Sequence, residues 1–133
     1  GLLCYYVKRN EEKTMANFEG VTASNSPAIK PDKIDKIKEI VDRYCLNELA
    51  CGVRDGCLEL YGYDFFYVSA NEPNDMDDEY DKTDNFLKEI APLLLEKLVI
   101  QSVGSEKCRF PLAAQEIVVL PNGDITYNGF KGE

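Results

Sequence analysis

A chain of 133 residues, 44% apolar and 29% charged, is long enough to bury one self-sufficient core without metal or disulfide staples. Its net charge of −9 argues against a nucleic-acid backbone or an anionic membrane surface as partner, because both call for clustered Lys and Arg. Histidine is absent, which removes the commonest general base and the commonest metal ligand together and sets enzyme readings at a discount.

No apolar run approaches the ~18 residues that a membrane span needs. The opening Gly1–Val7 is short for a secretory core and has no basic stretch before it. Five cysteines, an odd number in a chain that needs no disulfide framework, point to free thiols in a reducing compartment. A cytoplasmic location is the expectation.

Residues 1–14 read either as an N-terminal extension or as an edge strand, since the solvated Lys8–Thr14 breaks the pattern; a single domain then covers 15–133. The stretch from Asn17 to Ser24 is strand-like, with Gly20 as a candidate bulge. Pro31 suits the first position of a helix and Asp32 its first turn. Ile34, Ile37, Ile40, Val41 and Tyr44 then recur at helical spacing, predicting that Lys33–Cys45 lays Ile37 and Val41 on a sheet.

Leu46–Val53 and Cys57–Tyr61 flank Asp55-Gly56, a hairpin signal. Beyond Gly62 the chain is apolar or aromatic on both faces as far as Val68, which predicts a central strand. Thr83 or Asp84 is placed to cap a second helix carrying Phe86, Leu87, Ile90 and Leu94, and Pro92 should end or kink it. Leu98–Val103 alternates as a strand, and Glu116–Leu120 with Ile125–Tyr127 forms a hairpin around Asn122-Gly123. This order predicts a two-layer α+β domain, with a mainly antiparallel sheet of about five or six strands and two helices on one face.

The chemistry candidates are few. Between Asn71 and Asn85, seven carboxylates (Glu72, Asp75, Asp77, Asp78, Glu79, Asp81 and Asp84) face one lysine, for a net charge of −6. Asp75, Asp77, Glu79 and Asp81 have the spacing that opens a calcium loop, but Tyr80 stands where the loop needs glycine and Phe86 where it needs glutamate. Cys45, Cys51 and Cys57 are too widely spaced for a compact zinc knuckle. Cys108, between Lys107 and Arg109, is a candidate reactive thiol without a base to make it catalytic. Glu59 and Asp64 are the only carboxylates on the aromatic strand and form no distinctive pair.

The reading that results is a small acidic interaction module of inhibitor, immunity or antagonist type. It would present the carboxylates of residues 72–84 to a basic protein surface, and it calls for no cofactor. The alternative is a carboxylate-based hydrolase or divalent-metal-binding protein using residues 75–81. Oligomeric state is open at this level.

Overall fold

The computed structural model describes residues 18–46, 49–70, 81–106 and 109–131. In chain order these hold β1 (Phe18–Ser24), α1 (Ile34–Arg43, entered through a 3-10 turn at Pro31–Lys33), β2 (Tyr44–Cys45), β3 (Leu49–Arg54) and β4 (Cys57–Tyr63). There follow β5 (Ser69–Ala70), α2 (Thr83–Ile90, leaving through a 3-10 turn at Ala91–Leu93), β6 (Leu98–Glu106), β7 (Arg109–Val119) and β8 (Ile125–Lys131). Six strands form one antiparallel sheet in the order β3-β4-β1-β6-β7-β8, and β2 pairs with β5 apart from it. The fold is the expected two-layer α+β domain.

The sheet order explains itself in two pieces. Elements β1, α1, β3, β4, α2 and β6 follow a β-α-β-β-α-β sequence in which each helix connects two parallel strands that leave room for a third between them. β7 and β8 then extend the β6 edge as a meander of tight hairpins.

Strand alternation decides what is buried. Leu58 and Leu60 on β4, Leu98, Ile100 and Ser102 on β6, and Ile117 and Val119 on β7 face the helices and are buried. The helices answer with Ile37 and Ile40 from α1 and with Phe86, Leu87 and Ile90 from α2. Ile37 and Ile40 are buried as the spacing predicts, whereas Val41 is only partly buried at the margin of the stripe. Pro92 ends α2 by converting its last turn to 3-10, after which Leu94 is extended.

Among the described residues, the other face of the sheet carries no helix. Tyr63, Val21, Val103 and Ala114 lie side by side across β4, β1, β6 and β7 on that face, and Tyr61 stands next to them. Tyr61, Tyr63 and Val103 are each at least half exposed.

Four local expectations are corrected. Gly20 is not a bulge, because β1 pairs with β6 residue for residue from Phe18 to Ser24; its carbonyl instead accepts the Asp64 amide at 2.6 Å. The aromatic run is not a central strand out to Val68: β4 stops at Tyr63, where Asp64 takes φ +78° and turns the chain under the sheet. Phe66 and Val68 are buried by that crossing while Tyr63 and Tyr67 are exposed, which in sequence imitates a strand with two apolar faces. β7 begins at Arg109, well before Glu116, and its register with β6 shifts where Ser105 pairs with Leu112 but Glu106 with Arg109. The extra residues there include Pro111, which a bulge tolerates and a regular ladder does not. Leu46 lies outside any strand and β3 begins only at Leu49, while Tyr44 and Cys45, expected as the end of the first helix, form β2 instead.

Both hairpin signals hold, through different turns. Asp55 and Gly56 take φ +52° and +75°, the positive pair that a two-residue turn between Arg54 and Cys57 requires. At the second, Pro121 fixes the first turn position, so only Gly123 goes positive, at +101°. The loop is closed by Gly123 N–H to Leu120 O at 2.8 Å and Leu120 N–H to Asp124 O at 2.9 Å.

Candidate functional site

Of the acidic segment, Glu72, Asp75, Asp77, Asp78 and Glu79 lie outside the described residues, as do Cys108 and residues 1–14. Asp81 and Asp84 are described, and both sit exposed at the start of α2. The cap differs from the expected one. Lys82 occupies the cap position, and the Asp81 carboxylate accepts the Thr83 amide at 3.0 Å. The Thr83 hydroxyl instead ties the helix to the crossing segment, accepting the Val68 amide at 3.1 Å. Asp84 accepts a hydrogen bond from the Tyr127 hydroxyl on β8. Among the described residues neither carboxylate pairs with Lys or Arg.

These two acids border a cleft of about 620 Å³ lined by Phe66, Tyr67, Asp81, Thr83, Asp84, Asn85, Gln115, Ile117 and Tyr127. Its origin is a mismatch of widths. Six strands spaced about 4.8 Å apart span roughly 24 Å before side chains are added, whereas two packed helices cover roughly 20 Å. The β8 flank is left partly open. Tyr127, opposite buried Ile117 in the ladder, is therefore 44% exposed on what is otherwise the core-facing side. Phe66 and Ile117 make a buried apolar floor, and the acids, two amide side chains and the phenol stand above it. Partial burial, the bond to Asp84 and the fields of Asp84 and Asp81 together push the Tyr127 phenol well above its ordinary range. Ser69, whose buried Oγ has no hydrogen-bond partner among the described residues, does not line this cleft.

The sequence singled out Asp81 and Asp84 but not their neighbours. Tyr127 and Gln115 come from strands more than 30 residues downstream and are brought to α2 only by the sheet order. One local signal existed: Gln115 shares the inward parity of Ile117 and Val119 on β7, an unusual place for an amide.

The remaining candidates separate. Cys51 lies on the core-facing side of β3 and Cys57 on the outward side of β4, so they cannot share a metal. Neither they nor Cys45 form a disulfide, and burial raises the Cys51 thiol to about 12. No cluster of three metal-ligating side chains occurs among the described residues. Glu59 approaches Arg54 at 3.8 Å, while Asp64 accepts its neighbour Phe65's amide at 2.8 Å; the two acids do not face one another. No helix among the described residues is long and apolar enough to cross a membrane.

A second polar cluster joins the two helices and has a structural role. Glu89 on α2 receives the Arg43 guanidinium at 2.7 Å and the Tyr44 hydroxyl through its other oxygen. The Tyr44 hydrogen bond, seconded by Arg43, holds the Glu89 carboxyl below its ordinary value; partial burial and Glu89 raise Tyr44 to about 12. A depressed carboxyl contributes stability that is whole above its unfolded value near 4.3 and lost as pH falls through the folded one. Tyr44 contributes oppositely, losing its share as pH rises from about 10 toward 12. Urea melts of wild type and Glu89→Gln should therefore differ most near neutrality and converge as pH falls below about 4. A difference that stays constant down to about pH 2 would show that Glu89 is not ionised in this cluster.

Compared with family models, with curated proteins and with solved structures, this chain gives no significant match. The functional reading therefore rests on the site itself.

Proposed function

We propose that this chain is a protein-interaction module without catalysis of its own, whose acidic residues 72–84 engage a basic protein surface in the manner of an inhibitor, immunity or antagonist protein. The observation that supports this reading most directly is the state of Asp81 and Asp84. Both are exposed, oriented by Thr83 and Tyr127, and without a cationic partner among the described residues. They close a segment whose net charge of −6 supplies most of the chain's −9. Charge gathered in this way speeds encounter with a positive surface and rejects negative ones.

The test is collective neutralisation of Asp75, Asp77, Asp78 and Asp81 to Asn. Asparagine at 81 keeps an oxygen for the Thr83 amide, and a change at an exposed position such as 81 stays within about 0.5 kcal/mol; folding is expected to survive. Capture of a basic protein from the source cell should be strong at low salt, weaken as screening shortens the field to about 8–10 Å, and be largely lost in the variant. Equal capture by the variant at low salt would overturn the reading.

A further inference from the structure

We propose that the cleft between α2 and the β7–β8 hairpin is a guanidinium pocket, receiving one arginine side chain of the basic partner. The inference rests on the interaction reading above and adds to it a site and a side chain. Three features of the cleft point the same way. Its volume of about 620 Å³ falls within the range of ordinary ligand pockets. Among the described residues, two carboxylates line it and no Lys or Arg does. Its remaining walls combine aromatic rings, Phe66, Tyr67 and Tyr127, with the amides of Asn85 and Gln115.

The sign of the field is set by magnitudes. The start of α2 contributes the equivalent of about half a positive charge. Asp81 and Asp84 contribute two negative ones, so the cleft favours a cation. An anion is excluded by the same comparison. Among cations, a guanidinium fits these walls better than an ammonium. It is planar, stacks on aromatic faces, is weakly hydrated, and offers a fork of donors to carboxylate and amide oxygens. Tyr127 is a positioning residue here: its hydroxyl fixes the Asp84 carboxylate that would take the charge-assisted bond.

The probe is a short peptide, acetyl-Gly-Arg-Gly-amide, titrated against the full chain and followed by the NMR signals of Asn85, Gln115 and Tyr127. Its citrulline counterpart keeps the shape and removes the charge. The arginine peptide should shift these signals saturably and the citrulline peptide should not. Asp84→Asn and Tyr127→Phe, each first shown to keep the wild-type melting profile, should weaken binding about tenfold or more, equivalent to about 1.4 kcal/mol.

Methylguanidinium separates the two sources of this chemistry. Weaker binding than the peptide assigns the pocket to a polypeptide side chain, whereas equal binding assigns it to a free small cation and overturns the partner assignment. Equal shifts with citrulline, or unchanged affinity in Asp84→Asn, would overturn the pocket. An arginine- and lysine-rich octapeptide distinguishes that failure from a failure of the interaction reading. Salt-dependent binding that is indifferent to Asp84 and Tyr127 overturns the pocket alone, and no binding overturns both.

Discussion

Truncating Phe86 to alanine is expected to cost about 3–5 kcal/mol, the largest effect of any single substitution considered for this fold. Phe86 is fully buried at the point where α2 meets both the end of α1 and the crossing segment. Its ring meets Tyr44 edge-on at 5.5 Å and lies 6.4 Å from Phe66 in a tilted contact. Aromatic pairs of this geometry add to simple burial. Both neighbours hang on other elements, so the cavity cannot close by shifting one helix, and the cost falls toward the upper end. A domain of ordinary stability holds about 5–15 kcal/mol in total, so much of it would be lost. The check is a chemical denaturation midpoint with the slope unchanged; Phe86→Leu should recover most of the loss. A change below about 1 kcal/mol would place Phe86 outside the core.

Ser102→Ala should cost about 1–3 kcal/mol although it removes one oxygen atom, because that oxygen is the middle of a buried chain of hydrogen bonds. Thr22 Oγ1 donates to Asp64 O at 2.7 Å, which spends its only proton. The 2.7 Å contact between Thr22 and Ser102 must then run from Ser102 to Thr22. The Ser102 oxygen in turn accepts the Phe66 amide at 3.2 Å. Alanine leaves that amide buried and without an acceptor. Thr22→Val breaks the same chain one link further on and should cost a similar amount. The double variant should be less damaging than the sum of the singles; strict additivity would show that the two hydroxyls act independently.

The sequence disclosed what is periodic and local, and concealed what depends on pairing at a distance. Ile37 on α1, Leu98, Ile100 and Ser102 on β6 and both hairpin signals were legible because each is specified within a few residues. The first half of β7 was not, since Pro111, Ala113 and Ala114 are poor strand formers by themselves. β6, a neighbour with its pairing groups already aligned, makes them a strand. The end of β4 was hidden for the opposite reason. Phe65 to Val68 has excellent strand composition, and only the positive φ of Asp64 redirects it. The candidate site divides in the same way. Its acids stood out as a run, whereas Gln115 and Tyr127 join them through a sheet order that no local pattern encodes.

The position of β1 between β4 and β6 bears on how this chain reaches its native state. β3–β4 and β6–β7–β8 can each assemble from neighbouring residues, but within the sheet they meet only through β1. Its contacts span 42 residues on one side, from Thr22 to Asp64, and 80 on the other, from Thr22 to Ser102. Loop-closure entropy grows by only about 0.6 kcal/mol per doubling, so the two orders of docking are nearly equal in that respect. What separates them is time of arrival. During synthesis the β4 partner leaves the ribosome well before the β6 partner, and β1 then waits with one edge uncovered until residues beyond 98 follow. For that interval the strand that later unites the sheet is also its exposed edge, and the charge carried by residues 71–85 lies on the stretch of chain that emerges while the edge is open.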